Sequence, residues 1–119
     1  MKNNIIAEKS INFSIRLIKL YKNLCNEKKE FILSKQLLRS GTAIGALIRE
    51  AEHAQSKADF LNKMNIALKE ANETEYWILL LLKGEYISEK EYNSIALDCN
   101  ELIKLLVKIV KTTKENLGR

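Results

Sequence analysis

The sequence predicts an all-α fold, an antiparallel four-helix bundle with up-down-up-down connections. The 119 residues contain no proline and only four glycines, so little interrupts long helices. Apolar residues recur in alternating steps of three and four, the period of helices that pack side by side. Three polar breaks divide the chain into four segments. Short connections between long helices favour antiparallel neighbours, and we expect a single domain over residues 1–119.

Helices one and two are predicted over residues 4–27 and 34–54. The polar stretch NEKKEFILS separates them, and Ser34 is a residue type that caps helices. Small residues such as Gly41 and Gly45 in helix two allow a neighbouring backbone to approach closely. The apolar stripes predicted for the core are Phe13, Leu17, Leu20 and Leu24 in helix one, and Leu37, Gly41, Ile44, Ile48 and Ala51 in helix two.

Helices three and four are predicted over residues 57–82 and 88–114. Ser56 can accept a hydrogen bond from the backbone of Asp59 at the start of helix three, and Gly84 suits the C′ position after its end. Ser88 and Glu91 have the spacing of a capping box. The predicted core stripes are Phe60, Met64, Ala67, Ala71, Thr74, Ile78 and Leu81 in helix three, and Ile95, Cys99, Leu102, Leu106 and Ile109 in helix four.

The cysteines and the chain start indicate a soluble, cytoplasmic protein. Cys25 and Cys99 would lie roughly 13 Å apart along antiparallel helices, which is too far for a disulfide, so we expect two reduced thiols. The opening MKNNIIAEKS lacks the apolar segment of a signal peptide. The longest apolar run, WILLLL, is much shorter than a membrane span.

Catalytic and metal chemistry have little support in the sequence. Glu50 and His53 form half of the Glu-x-x-His motif of di-iron bundles, but His53 is the single histidine of the chain. A position at the C-terminal end of a helix suits His53 better, because its partial positive charge interacts favourably with the helix dipole there. The acidic segment KEANETE suggests a solvated face. Glu75 is an exception, because it continues the spacing at which leucines recur in helix three, and it is a candidate for pairing across an interface. We expect no enzymatic activity, no metal and no cofactor.

Positive charge is concentrated at the two ends of the chain. Residues 1–40 carry nine basic and three acidic side chains, residues 41–101 six and eleven, and residues 102–119 five and one. Because helices one and four are neighbours in the predicted bundle, both basic segments fall on one side. A solubilising lysine surface and a phosphate-binding face are both compatible with this pattern. The candidate nucleic-acid-binding residues are Arg16, Lys19, Lys104, Lys108 and Lys111.

Helices one and four also carry more apolar surface than a single bundle needs. In helix one, a stripe of isoleucines lies almost opposite the core stripe, and in helix four the apolar arc spans roughly 200°. We expect these residues to form one contiguous patch that drives self-association. The candidate interface residues are Ile11, Ile15, Ile18, Ile103, Val107 and Val110.

The segment LLRSGTAIGALIREAEHAQSKADFLNKMNIALKEANETEYWILLL, residues 37–81, resembles a known family. Ser-Gly-Thr-x-Ile, the SKADF turn and ALKEAxETEYW are similar to the signature of four-helix-bundle proteins encoded in intervening sequences of large-subunit ribosomal RNA genes. Their relatives include the accessory variability determinants of diversity-generating retroelements. The chain departs from the family at Leu47, where an asparagine is frequent.

The resemblance implies an up-down bundle that assembles as a homopentameric barrel. For the retroelement branch it also implies a basic surface that binds nucleic acid and a reverse transcriptase as partner. We therefore expect a non-enzymatic oligomeric accessory protein whose basic surface engages nucleic acid through phosphates. A protein-interaction scaffold without nucleic-acid binding is the alternative.

Overall fold

A computed structural model describes residues 4–119, so residues 1–3 of the predicted domain lie outside the described part. This part of the chain is all-α and contains four helices and no strand. It measures 48 × 22 × 21 Å. The helices are α1 (Asn4–Asn26), α2 (Leu33–Glu52), α3 (Lys57–Lys83) and α4 (Glu89–Asn116).

Side-chain contacts between the helices establish the antiparallel order. Ser40 of α2 hydrogen-bonds with Thr74 of α3 at 2.9 Å, and Glu50, further along α2, pairs with Lys63 at 3.6 Å. Because the residue number falls on α3 as it rises on α2, the two helices run in opposite directions. Each helix packs against the next one in the chain, and α4 also packs against α1. The structure is therefore an up-down-up-down arrangement.

The core lies along the axis of the bundle and draws on all four helices. Two of its polar members have hydrogen-bond partners inside the bundle: the buried Thr74 hydroxyl contacts the Ser40 hydroxyl and donates to the Glu70 carbonyl oxygen at 2.7 Å. In α3 and α4, the predicted stripes are confirmed except at two ends, where Leu61 and Val110 are buried more deeply than Phe60 and Ile109. The largest fully buried side chains include Phe13, Leu17, Leu24, Leu37, Ile44, Ile48, Met64, Ile78, Leu81, Leu102 and Leu106.

Two of the predicted caps are confirmed. Ser56 accepts a hydrogen bond from the Asp59 N–H at 3.0 Å, and Ser88 forms a complete capping box with Glu91. The prediction for Gly84 is wrong by one residue. Gly84 has an ordinary φ of −81°, and Glu85 adopts the left-handed conformation with φ 67°.

The predicted cap of α2 is wrong. Ser34 lies inside the helix, and the buried carboxylate of Glu30 takes over the capping function. It accepts hydrogen bonds from the backbone N–H groups of Ile32 at 3.1 Å, Leu33 at 2.9 Å and Ser34 at 2.7 Å. These groups have no partner within the helix, so one side chain satisfies three orphan donors.

Candidate nucleic-acid interface

Three lysines of α4 form the main part of the candidate interface. Lys104, Lys108 and Lys111 are exposed, and they lie on the side of the helix that faces away from Leu102 and Leu106. Lys104 and Lys111 are seven residues apart, or roughly 10 Å along the helix. None of the three forms an ion pair with another described residue. We call these three residues the α4 lysine stripe.

Arg16 is not a free cation, because its guanidinium is already paired within the chain. Its guanidinium donates to Asp98 Oδ2 at 2.6 Å and to Ser94 Oγ at 2.8 Å. A third contact reaches the Ser94 carbonyl oxygen at 3.3 Å. Since the partners lie on α4, 78 and 82 residues away, Arg16 acts in packing α1 against α4.

Lys19 is exposed but lies far from the α4 lysine stripe. Arg16 meets Ser94 and Lys9 meets Glu101 at 3.3 Å, which fixes the antiparallel register of α1 and α4. In this register Lys19 lies opposite the first turns of α4, whereas the stripe lies beyond Glu101. At 1.5 Å per residue, the separation along the axis is roughly 20 Å from Lys104 and about 30 Å from Lys111. The candidate basic residues therefore occupy two separate positions on the α1–α4 side.

The apolar candidates do not form one patch either. Ile11, Ile15 and Ile18 are exposed, as predicted. Ile11 lines a shallow cavity with Gly45 and Ile48, so this strip borders α2. We call Ile11, Ile15 and Ile18 the α1 isoleucine strip.

The apolar candidates of α4 differ from one another in burial. Val107 is 48% exposed, Ile103 is half-buried and packs against the core, and Val110 is 6% exposed. Val110 is thus a core residue of the protomer, which corrects its assignment to an oligomer interface. Val107 is nine residues from Asp98, which turns it about 180° away from the side that meets α1.

The residues considered for metal chemistry have other roles. Glu50 pairs with Lys63, and His53 is an exposed residue at the end of α2. Among residues 4–119, no three His, Cys, Asp or Glu side chains are grouped closely enough to hold a metal ion. Glu75 is exposed and faces the seam between α3 and α4, where its charge acts on Cys99.

The two cysteines are free thiols in different environments. Cys99 is fully buried, and its Sγ lies 3.6 Å from the Ala71 carbonyl oxygen, to which it donates. Burial, assisted by the negative charges of Glu75 and Asp98, raises the pKa of Cys99 to about 12. The thiol therefore stays protonated and poorly nucleophilic at neutral pH. Cys25 is half-buried, 3.9 Å from the Ser34 hydroxyl.

A cluster on the α2–α3 face was not predicted. The guanidinium of Arg39 binds Glu73 and lies 3.5 Å from Glu70, and Trp77 Nε1 donates to Glu73 at 2.9 Å. Tyr76 packs edge-on against Trp77 with ring centroids 5.2 Å apart. The contact between Glu73 and Trp77 could have been predicted from the sequence, because the two residues are four apart on one helix. The partnership with Arg39 could not, since it joins residues 34 apart.

An open cavity of about 270 Å³ lies between α1 and the start of α4. Leu20, Ile87 and Ile95 contribute its apolar lining, and Arg16 and Lys90 contribute cationic groups. The guanidinium of Arg16 is already bound by Asp98. None of the four helices, as described from residue 4 onward, has the length and apolar character to cross a lipid bilayer.

A sequence model described as 23S rRNA-intervening sequence protein matches residues 2–108. The structure is similar to a crystal structure of a protein with unknown function from the S23 ribosomal protein family of Bacteroides thetaiotaomicron. The two share 61% sequence identity with a TM-score of 0.91, over 93% of this chain and 99% of the other. Among curated proteins, none matches this chain.

Proposed function

The chain belongs to the 23S rRNA-intervening sequence protein family, and we propose that it is a non-enzymatic, homo-oligomeric accessory protein that binds nucleic acid through phosphate contacts. The observation that carries the proposal is the α4 lysine stripe. Lys104, Lys108 and Lys111 are exposed, lie within about two helical turns, and have no ion-pair partner among the described residues. Binding of such unpaired lysines to phosphates is favourable, because it releases the counterions condensed on the nucleic acid.

Self-association would strengthen this binding. Each chain carries a formal net charge of +5, and a ring of chains would present several copies of the stripe to one polyanion. The exposed α1 isoleucine strip supports self-association. The resemblance described above suggests five chains. It also suggests kinship to the retroelement determinants, with a reverse transcriptase as the protein partner. The two free thiols, Cys25 and Cys99, are compatible with a cytoplasmic protein.

The salt dependence of binding tests the proposal. Replacing Lys104, Lys108 and Lys111 by glutamine should weaken binding to all sequences alike, because phosphate contacts carry no base information. On duplex DNA, the slope of log affinity against log salt should fall by about 0.9 for each phosphate that the variant no longer neutralises. Fluorescence anisotropy of a labelled duplex, titrated between about 50 and 200 mM salt, measures both quantities.

A matched control replaces three exposed lysines of α3, which also form no ion pair with a described residue: Lys57, Lys69 and Lys83. This variant has the same net charge as the stripe variant. Its salt slope should stay close to that of the unmodified protein if the α4 stripe makes the contacts. Failure of the unmodified protein to bind any DNA or RNA at low salt would reject the proposal.

A protein-interaction scaffold is the second candidate. The exposed α1 isoleucine strip and the Arg39–Glu73–Trp77 cluster favour it, because tryptophan and arginine are enriched where proteins bind each other. It differs from the first candidate in one measurable respect: a scaffold forms the oligomer and binds no nucleic acid at any ionic strength.

A further inference from the structure

The loop between α1 and α2 exposes two adjacent large apolar side chains. Phe31 is 58% exposed and Ile32 is 76% exposed. Both lie at the end of the bundle opposite the α4 lysine stripe, since α1 and α4 are antiparallel. Their exposure leaves apolar area in water that a bound partner would remove, which favours binding.

The loop that carries these side chains is held in place from within. The buried Glu30 carboxylate accepts hydrogen bonds from Ile32, Leu33 and Ser34, and the Ser34 hydroxyl donates back to the Glu30 carbonyl oxygen at 2.8 Å. The Glu30 N–H donates to Leu24 in the last turns of α1 at 3.0 Å. A backbone fixed in this way loses little conformational freedom when a ligand binds.

Three exposed lysines lie within four residues of Phe31 in the sequence: Lys28, Lys29 and Lys35. None of them pairs with an acidic side chain of the described chain, whereas Lys9 and Lys63 do. The other acid in the loop, Glu27, is exposed, and Glu30 is occupied by backbone donors. Lys19 and Lys22 continue the exposed positive charge along the last turns of α1.

We infer that this loop binds single-stranded nucleic acid, with an unpaired base stacked on Phe31 and the neighbouring phosphates held by Lys28, Lys29 and Lys35. The inference rests on the proposed function and assigns it a second contact surface. Aromatic rings flanked by cations are the elements that single-strand binding proteins combine, because every base offers a face for stacking. A duplex keeps its bases stacked internally, so it can use the lysines of the loop but not the ring.

The combination of residues favours a strand over a lipid surface. A single planar ring with three nearby cations suits one base with its adjacent phosphates. An anionic bilayer would use Phe31 and Ile32 in the same way, as two apolar groups inserted beside lysines. Binding of a single strand should therefore depend much more on Phe31 than on Ile32, whereas binding to a bilayer should depend on both.

The test compares a labelled single-stranded oligonucleotide, as RNA and as DNA, with the duplex of the same sequence. Phe31→Ala should weaken single-strand binding by about 5- to 150-fold, the range for loss of one base stack, and leave duplex binding unchanged. Phe31→Tyr should retain single-strand affinity because it keeps the ring. Ile32→Ala should have a much smaller effect than Phe31→Ala.

Four other results would overturn the inference. The first is equal loss of single-strand and duplex affinity in Phe31→Ala. The second is duplex binding without any single-strand binding, which leaves the proposed function intact. The third is binding to vesicles containing phosphatidylserine that Phe31→Ala and Ile32→Ala abolish alike, with single-strand affinity unaltered. The fourth is a lower oligomer mass in Phe31→Ala, which would make the loop a contact between copies. If the unmodified protein binds no nucleic acid at all, the proposed function itself fails.

Discussion

Glu30 determines how α2 begins. Its carboxylate is buried, which raises its pKa, but hydrogen bonds from Leu33, Ser34 and Ile32 outweigh this effect. The net result is a pKa below the ordinary value for a glutamic acid. A carboxyl group with a lowered folded-state pKa stabilises the protein above its ordinary pKa, and this stabilisation disappears as the pH falls through the folded-state pKa.

Glu30→Gln should therefore reduce the free energy of unfolding by about 1–2 kcal/mol at pH 7, because a neutral amide accepts weaker hydrogen bonds than a carboxylate. Between pH 7 and pH 3 the difference from the unmodified protein should shrink, since protonated Glu30 has lost the same charge. Urea unfolding at several pH values gives both curves. Glu27→Gln, at an exposed position in the same loop, is the control and should change little. A pH-independent difference would contradict this role of the Glu30 charge.

At the scale of elements, α1 and α2 approach each other closely at Gly41. A β-carbon at this position would overlap Leu17 Cδ1, and Leu17 is fully buried, so it has little room to move. Gly45, one turn further along α2, is less constrained, because an added β-carbon would meet Ser10 Oγ at 3.2 Å. The small residues of helix two thus serve the predicted close packing, but to different degrees.

Gly41→Ala should destabilise the protein by about 1–2 kcal/mol. Overpacking against Leu17 costs about 1–3 kcal/mol, and alanine recovers up to about 1 kcal/mol as a better helix former. Gly45→Ala is the matched control and should stay within about 1 kcal/mol of the unmodified protein. Denaturant unfolding of both variants measures the difference. If Gly41→Ala were as stable as Gly45→Ala, the close approach of α1 and α2 would be refuted.

Features encoded within one helical turn were predictable from the sequence, and those that join distant segments were not. The caps at Ser56 and Ser88 follow from residues three apart. The cap of α2 was missed because its acceptor, Glu30, lies before the N-cap position, where pattern rules place no side chain. Arg16 looked like a free cation because its partner Asp98 is 82 residues away.

Among the candidate site residues, burial was the least predictable property. Val110 and Val107 belong to the same wide apolar arc of α4, but the former is buried and the latter exposed. The arc gives the width of the apolar face of α4, but it does not show which part of that face the neighbouring helices cover. Their positions depend on tertiary packing, which a helical projection of α4 alone does not contain.

At the scale of the whole molecule, the exposed candidate interface residues lie on different sides of the bundle. The α1 isoleucine strip borders α2, and Val107 faces away from α1. Head-to-tail rings join two different surfaces of each chain, whereas a two-fold dimer joins one surface to itself. Two separated apolar areas are therefore compatible with the ring proposed above.

Ile15→Asp should dissociate the proposed oligomer and leave the helices intact, because Ile15 is exposed and the core stripe of α1 is unaltered. Light scattering should give the 13.7 kDa mass of one chain, with an unchanged far-ultraviolet circular dichroism spectrum. Asn12→Asp adds the same charge to the exposed surface of α1 outside the strip, and it should remain oligomeric. A mass of 13.7 kDa for the unmodified protein at micromolar concentration would exclude self-association.

The sparse contact between α1 and α4 has a consequence for how the chain folds. The extensive helix contacts join neighbours in the sequence, α1 with α2, α2 with α3 and α3 with α4. The contact between α1 and α4, which includes the ion pair of Arg16 and Asp98, is the one that joins segments from the two ends of the chain. Low contact order of this kind goes with folding in microseconds to milliseconds, since little loop entropy is lost before native contacts form. Three successive hairpins can thus assemble before the α1–α4 seam closes.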